Sequence, residues 1–323
     1  MVSSSKSTES MESAGKGMGT QLCHRAYGKN AAKALEAVGA EMKRLERLLS
    51  RFVPESDIAK MNGLAGKGRV KLSPEAYEVL TLARRISDLC GGTFDVTVGP
   101  LVELWGVTNA AAPPPFERIK EAVSLVNDAD LVLDPASRTG GLRRKGQSVD
   151  LGAIGKGYAS DKLLGVFRRF GVASAFSNLG GNVAVLGAKP DGSPWRVGIR
   201  HPRRERCLIG AIDVVDQAVI TSGDDQSYFI DAMGKRRHHL LDPATGYPAD
   251  HGLVSVTIVA DSAAAADALA TAAFVAGMER GLAILRRFPG AEAVFVDRRL
   301  QVYVTAGLKE HFLALEGTTA VII

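Results

Sequence analysis

The residues best suited to do chemistry begin with an acid and a hydroxyl set four apart, Asp267 and Thr271, in the segment Ser262–Ala276. The 3.6-residue helical repeat stacks such a pair on one face. Their neighbours are alanine, leucine, phenylalanine and valine on nearly every side, so the helix is expected to be buried. A buried carboxylate is costly without a partner. Two readings stand open: a hard oxygen site for Mg²⁺, completed by a backbone carbonyl, water and phosphate, or a structural hydrogen bond to a neighbouring turn.

A second constellation is Asp150-Leu151-Gly152-Ala153-Ile154-Gly155-Lys156-Gly157, three glycines between a short apolar stretch and a helix expected from Tyr158. Such a loop lets backbone approach a ligand, and the helix start favours an anion. Lys156 adds a point charge suited to phosphate. The spacing is neither that of a P-loop nor that of the dinucleotide fingerprint, and a tight turn with a surface lysine is the alternative. A third is His238-His239 ahead of Asp242-Pro243-Ala244-Thr245-Gly246. On a strand adjacent side chains point to opposite faces, so one imidazole can face a cleft and act as a general base. No further histidine or cysteine follows at zinc-ligand spacing. Gly91–Asp95, Ser177–Gly181 and Thr221–Asp225 add glycine-rich turns at which backbone can approach a flat or phosphorylated ligand.

These segments need a scaffold. Leu35, Val38, Met42, Leu45, Leu48 and Phe52 recur at helical spacing and predict a helix over Asn30–Arg51. A second is expected from Ser73-Pro74, cap and first turn, to Gly91-Gly92. Further helices are expected at Phe116–Val126, Tyr158–Phe170, Ala263–Ala276 and Glu279–Phe288. Strands are expected at Leu131–Leu133, Val149–Leu151, Val183–Leu186, Trp195–Ile199, Ile209–Val215, Val219–Thr221, His238–Leu241 and Val254–Val259. Strands clustered between helices predict an α+β fold, a mixed, largely antiparallel sheet flanked by helices, rather than regular βαβ alternation. Residues 1–16, polar and without an apolar run, are expected to form a disordered leader before one unit over 17–323.

Composition excludes several classes. Among 323 residues, 40 Lys+Arg against 35 Asp+Glu give a net charge of +5. The basic residues are interspersed with acids, and aromatics are only 6%, which leaves few stacking platforms for nucleic acid. The longest apolar run, Ala263–Ala276, is broken by Asp267 and too short for a membrane span. No secretory signal is visible, so a cytoplasmic or organellar location is expected. Three scattered cysteines, Cys23, Cys90 and Cys207, do not make a disulfide framework and are expected to be buried thiols.

In order, Met18-Gly19-Thr20, Ser56–Asn62, Gly91–Gly106, Asp150–Tyr158, Asn178–Gly181, Thr221–Gly223, His239–Gly246 and Ala266–Thr271 resemble the FAD:protein FMN transferase (ApbE, flavin transferase) family. The resemblance runs from Gly17 to the C-terminus. It implies a T-fold-like α+β fold and an Mg²⁺-dependent enzyme that cleaves the FAD pyrophosphate. FMN is then attached by a phosphoester to Thr or Ser of a target flavoprotein, and AMP is released. It places Met18, Asn62, Thr93, Phe94, Asp95, Asp150, Lys156 and Leu241 on FAD. The carbonyl of Ala153, with Asp267 and Thr271, falls on the metal, and His239 on the base. Lys156 and Asp267 are expected to act in catalysis beside it. Two departures stand out: Gly180-Gly181-Asn182 replaces the usual Gly-Gly-Asp, and the position of Asn62 varies in the family. An Mg²⁺-dependent FAD pyrophosphatase and a non-catalytic FAD carrier are the alternative functions.

Overall fold

The apolar stripe on the first helix is buried as its spacing predicts: Leu35, Val38, Met42 and Leu45 of α1 (Ala31–Leu49) face the interior. The computed structural model describes residues 9–323. Seven more helices follow: α2 (Asp57–Gly63), α3 (Pro74–Cys90), α4 (Gly99–Trp105), α5 (Phe116–Ser124), α6 (Gly155–Arg169), α7 (Ala263–Ala276) and α8 (Met278–Leu285). Ser73 caps α3 by accepting from the Ala76 amide at 3.2 Å, and Gly91 ends it in the left-handed region at φ 59°.

The main sheet has nine strands in the spatial order β1 (Ser10–Gly17), β2 (Thr20–Tyr27), β6 (Ala175–Leu179), β7 (Asn182–Leu186), β10 (Ala218–Gly223), β13 (Leu253–Ala260), β14 (Glu292–Asp297), β15 (Val302–Val304) and β17 (Ala320–Ile322). All neighbours are antiparallel except β15 and β17, so the expected α+β architecture with a largely antiparallel sheet is observed. Three smaller sheets complete it. They are β3 (Val70–Lys71), β5 (Thr139–Leu142) and β4 (Leu131–Asp134); β16 (Phe312–Ala314), β9 (Leu208–Val214) and β8 (Trp195–Arg200); and the hairpin of β11 (Tyr228–Ile230) and β12 (Arg236–His238).

Helices α1, α6 and α7 pack on one face of the main sheet. On the other face Val185, Val219, Val259 and Val294 meet Trp195, Ile199, Ile212 and Val214 of the second sheet. Strand β13 lies between both layers, which is why all eight of its residues are buried and apolar residues dominate it without alternation.

Helix α7 is locked to α6. Asp161 accepts from the amides of Ala263 at 2.8 Å and Ala264 at 3.0 Å and from the Ser262 hydroxyl at 2.9 Å, placing a carboxylate at the helix start. Close approach depends on Gly157: a Cβ there would fall 2.2 Å from the Ala263 carbonyl oxygen and 2.7 Å from Asp267 Cβ. Gly157→Ala is therefore expected to cost about 3 kcal/mol, the upper end of overpacking penalties, because backbone rather than a flexible side chain blocks the methyl. Urea unfolding of the variant checks this.

Several expectations change. Residues 10–16, assigned to a disordered leader, form strand β1. Main-chain pairing with β2 along its whole length holds it, while its side chains stay exposed or half-buried, so no apolar alternation marks it. Residues 1–8 of that leader lie outside the described residues. Val149–Leu151 is a loop, not a strand: the Asn62 amide takes both the Val149 N–H and its carbonyl. The strand expected over His238–Leu241 stops at His238, and Leu241 makes only an isolated bridge to Pro248. Of the thiols, only Cys90 is buried; Cys23 is half-buried and Cys207 exposed.

Candidate active site

Asp267 sits mid-helix in α7 with 4% of its surface exposed. Its Oδ2 accepts from the Gly157 amide at 2.9 Å and its Oδ1 from Asn182 Nδ2 at 3.0 Å. Both donors are neutral, and no ion pair to Asp267 exists among the described residues. A carboxylate offers about four lone-pair directions, so two neutral bonds leave acceptor capacity to spare. Thr271, one turn on, lies with its Oγ1 3.2 Å from Ser222 Oγ. Asp267, Thr271, Asn182, Ser222 and Ala153 line a single cavity of about 230 Å³.

The loop before α6 and the first turn of that helix form another wall. The Val149 backbone is pinned through Asn62 Oδ1 at 2.8 Å and Nδ2 at 2.9 Å, and the Asp150 amide donates to the Val96 carbonyl at 2.8 Å. The Asp150 carboxylate accepts from the Gly152 amide at 2.7 Å and pairs with Arg51 at 3.0 Å. Lys156 projects from the first turn of α6, its Nζ 3.2 Å from the Gly152 carbonyl, and joins no carboxylate among the described residues. It remains available to an anionic ligand.

Across the cavity stands His239. Its amide and its Nδ1 both reach the Ser227 carbonyl, at 3.1 and 3.3 Å. A carbonyl can only accept, so this contact assigns the ring proton to Nδ1 and leaves the Nε2 lone pair free. Burial, above all, then the charges of His238 and Lys156, push the imidazole down to about 4, against the opposing pull of the Ser227 carbonyl. It is held neutral at physiological pH. His238 points the other way, its Nε2 3.0 Å from the Ala249 carbonyl and its ring edge-on to Phe274. The adjacent histidines do divide between two faces, and His238 is the structural one.

Thr93, Phe94, Asp95 and Leu241 line the same cavity. Asp95 is already committed: one oxygen accepts from the Thr97 amide and hydroxyl, both at 2.7 Å, and the other from the Asp128 amide at 3.1 Å. Burial raises its carboxyl above the ordinary range despite these bonds. Met18 instead lines a second cavity of about 370 Å³ with Leu49, Arg51 and Phe52. The two cavities share Asp150, Gly152 and Lys156.

Asn62 lines neither cavity. Its place in the site is indirect: both ends of its amide hold the residue before Asp150. Asn62→Ala is expected to leave two Val149 groups without their partner and to cost about 1–3 kcal/mol. Urea unfolding of Asn62→Ala checks this. Asn182, Ser222, Arg51 and Gln226 also belong to the site. Asn182 and Ser222 fall in or beside the glycine-rich segments. Nothing local marks Arg51, whose role comes from tertiary pairing with Asp150.

The model of the ApbE family matches residues 18–295. A relative named FAD:protein FMN transferase from Klebsiella pneumoniae is 32% identical over 307 residues, covering 94% of this chain and 95% of the relative. Another of that name from Treponema pallidum is 34% identical over 322 residues, covering 93% and 88%. Among solved structures, the ApbE protein from Thermotoga maritima matches at a TM-score of 0.86 with 33% identity, over 94% of this chain and 99% of its own. The apo form of the Pseudomonas stutzeri flavinyl transferase ApbE matches at 0.83 with 30% identity, over 94% and 97%.

Proposed function

The chain belongs to the ApbE family, and from that premise we propose that it is an Mg²⁺-dependent FAD:protein FMN transferase. It cleaves the FAD pyrophosphate, joins FMN by a phosphoester to a Thr or Ser hydroxyl of an acceptor flavoprotein, and releases AMP. The observation that carries this reading is the convergence of a free lysine, a neutral histidine and a buried carboxylate with spare lone pairs on one cavity. A second cavity shares Asp150, Gly152 and Lys156 with it, and the two side by side would give an elongated dinucleotide room for both halves.

The donors fit a hard cation. Asp267, Thr271 and Ser222 all offer oxygen to this cavity, as Mg²⁺ prefers. Asp267, Thr271 and the Ala153 carbonyl would hold the ion, which when bound offsets negative charge on the pyrophosphate. Lys156 would position the same group. Met18 and the wall around Phe52 receive one end of FAD; Phe94 and Leu241 line the room for the other.

The acceptor oxygen bonds to the phosphorus on the FMN side. The bond from that phosphorus to the bridging oxygen breaks, and AMP leaves with that oxygen and its electron pair. The hydroxyl proton passes to Nε2 of His239, the atom left free by the Ser227 contact. Incubation with FAD, Mg²⁺ and an acceptor protein, followed by chromatography and a denaturing gel, tests the proposal. AMP together with a fluorescent flavin band on the acceptor supports it. AMP with only free FMN, or FAD that stays intact and co-elutes, overturns it.

A further inference from the structure

Beside the catalytic cavity lies a third space that neither half of the FAD room accounts for. This groove, about 590 Å³, shares Thr221 and Gln226 with the catalytic cavity and nothing with the Met18 cavity. Its floor is one row across four neighbouring strands: Ala14 of β1 opposite Cys23 of β2, Cys23 opposite Asn178 of β6, and Asn178 opposite Val183 of β7. Its wall is Gly198 and Arg200 of β8.

The inner end of the groove is a gap in the main sheet. Strand β10 pairs with β13 from Ala218 to Gly223, but with β7 only at Ala218 and Val219. Beyond Val219 the edge of β10 toward β7 pairs with no strand among the described residues. The Thr221 carbonyl there is covered only by the Gln226 side-chain amide at 3.2 Å.

We propose that this groove seats the acceptor polypeptide as an extended segment that runs over the Ala14–Cys23–Asn178–Val183 row and presents its hydroxyl past Thr221 to the catalytic cavity. An open strand edge offers main-chain donors and acceptors, which recognise an extended backbone of any sequence. The lining mixes glycine and small side chains with Leu22, Gln21, Gln226 and Arg200, and it holds no aromatic platform on which a flavin or adenine would stack. Thr221 and Gln226 line both this groove and the cavity that holds His239, so a hydroxyl presented past them would arrive on the side where its proton is received. The inference rests on the transferase reading.

The test uses the full chain and, as probe, an apo-acceptor protein that the Klebsiella pneumoniae relative labels with FMN under the same conditions. Ala14 is exposed, so Ala14→Trp fills the groove without disturbing the core. The variant is expected to raise the KM for the acceptor at least about tenfold, a loss of about 1.4 kcal/mol, while the Kd for FAD stays at the wild-type value. As an independent footprint in a Cys207→Ser background, the acceptor should slow alkylation of Cys23 and FAD alone should not. Unchanged acceptor kinetics in Ala14→Trp, or protection of Cys23 by FAD alone, overturns the groove assignment while leaving the transferase intact. A wild-type chain that labels no acceptor overturns the transferase reading and this inference with it.

Discussion

On the proposed function, Asp267→Ala is expected to lower the rate of AMP release from FAD by about a thousandfold, the several kcal/mol that a metal's charge stabilisation would supply. The same substitution strips the acceptor from two buried donors, the Gly157 amide and Asn182 Nδ2. An unpaired buried donor costs about 1–3 kcal/mol, so the alanine variant is also less stable. Asp267→Asn separates the two effects. It keeps the shape and one acceptor oxygen but removes the charge, so it retains more of the stability and regains none of the activity. Chromatographic AMP assays and urea unfolding, run on both variants, make the comparison. Full activity in Asp267→Asn would show that the charge of this carboxylate is not what the reaction uses. Chelation of the wild-type protein should reproduce the loss, and Mg²⁺ add-back should reverse it.

His239→Gln is expected to slow FMN transfer by about 10²- to 10⁴-fold, the contribution of a positioned general base, with the Kd for FAD nearly unchanged. The pH profile is the more telling readout. A base must be unprotonated to accept, and His239 is held down to about 4. Transfer should therefore be flat on the acid side from neutrality to near pH 5 and fall only as pH approaches 4. An ordinary imidazole would give half-maximal rate near 6.5. In His239→Gln that acid limb disappears; an inflection near 6.5 in the wild type would sink the assignment. Stability must be followed in the same window. His24 is likewise buried and pushed down to about 4, so the unfolded chain takes up protons first. Stability is then full above about 6.5 and declines as pH falls toward 4.

Much of this site is written locally. Helix α7 begins and ends where its alanine-rich run does, and the four-residue spacing of Asp267 and Thr271 survives as a shared cavity wall. The divergence of His238 and His239 follows from strand alternation, although the strand itself ends at His238. Harder to read are features made by main chain or by distant partners. Strand β1 has no buried side chain before Gly17 and is held by backbone pairing and a surface ion pair from Glu12 to Arg25, so its sequence looks like a leader. Asn62 reads as a ligand contact by motif, yet in the fold its amide is consumed by Val149, 87 residues away. Asn182 reads as a lost charge; in the fold it is a donor to Asp267, where a second carboxylate would have set two like charges against each other.

The locking of α6 to α7 bears on how a substrate enters. Gly157 brings the helices to backbone contact, and Asp161 ties the start of one to the middle of the other. Lys156, Asp267 and Thr271 consequently ride on a single block. His239 stands on the facing side, directly after the hairpin of β11 and β12, whose two strands are three residues each. Lys156, the Asp267 carboxylate and the Thr271 hydroxyl are then preset relative to one another before any ligand arrives.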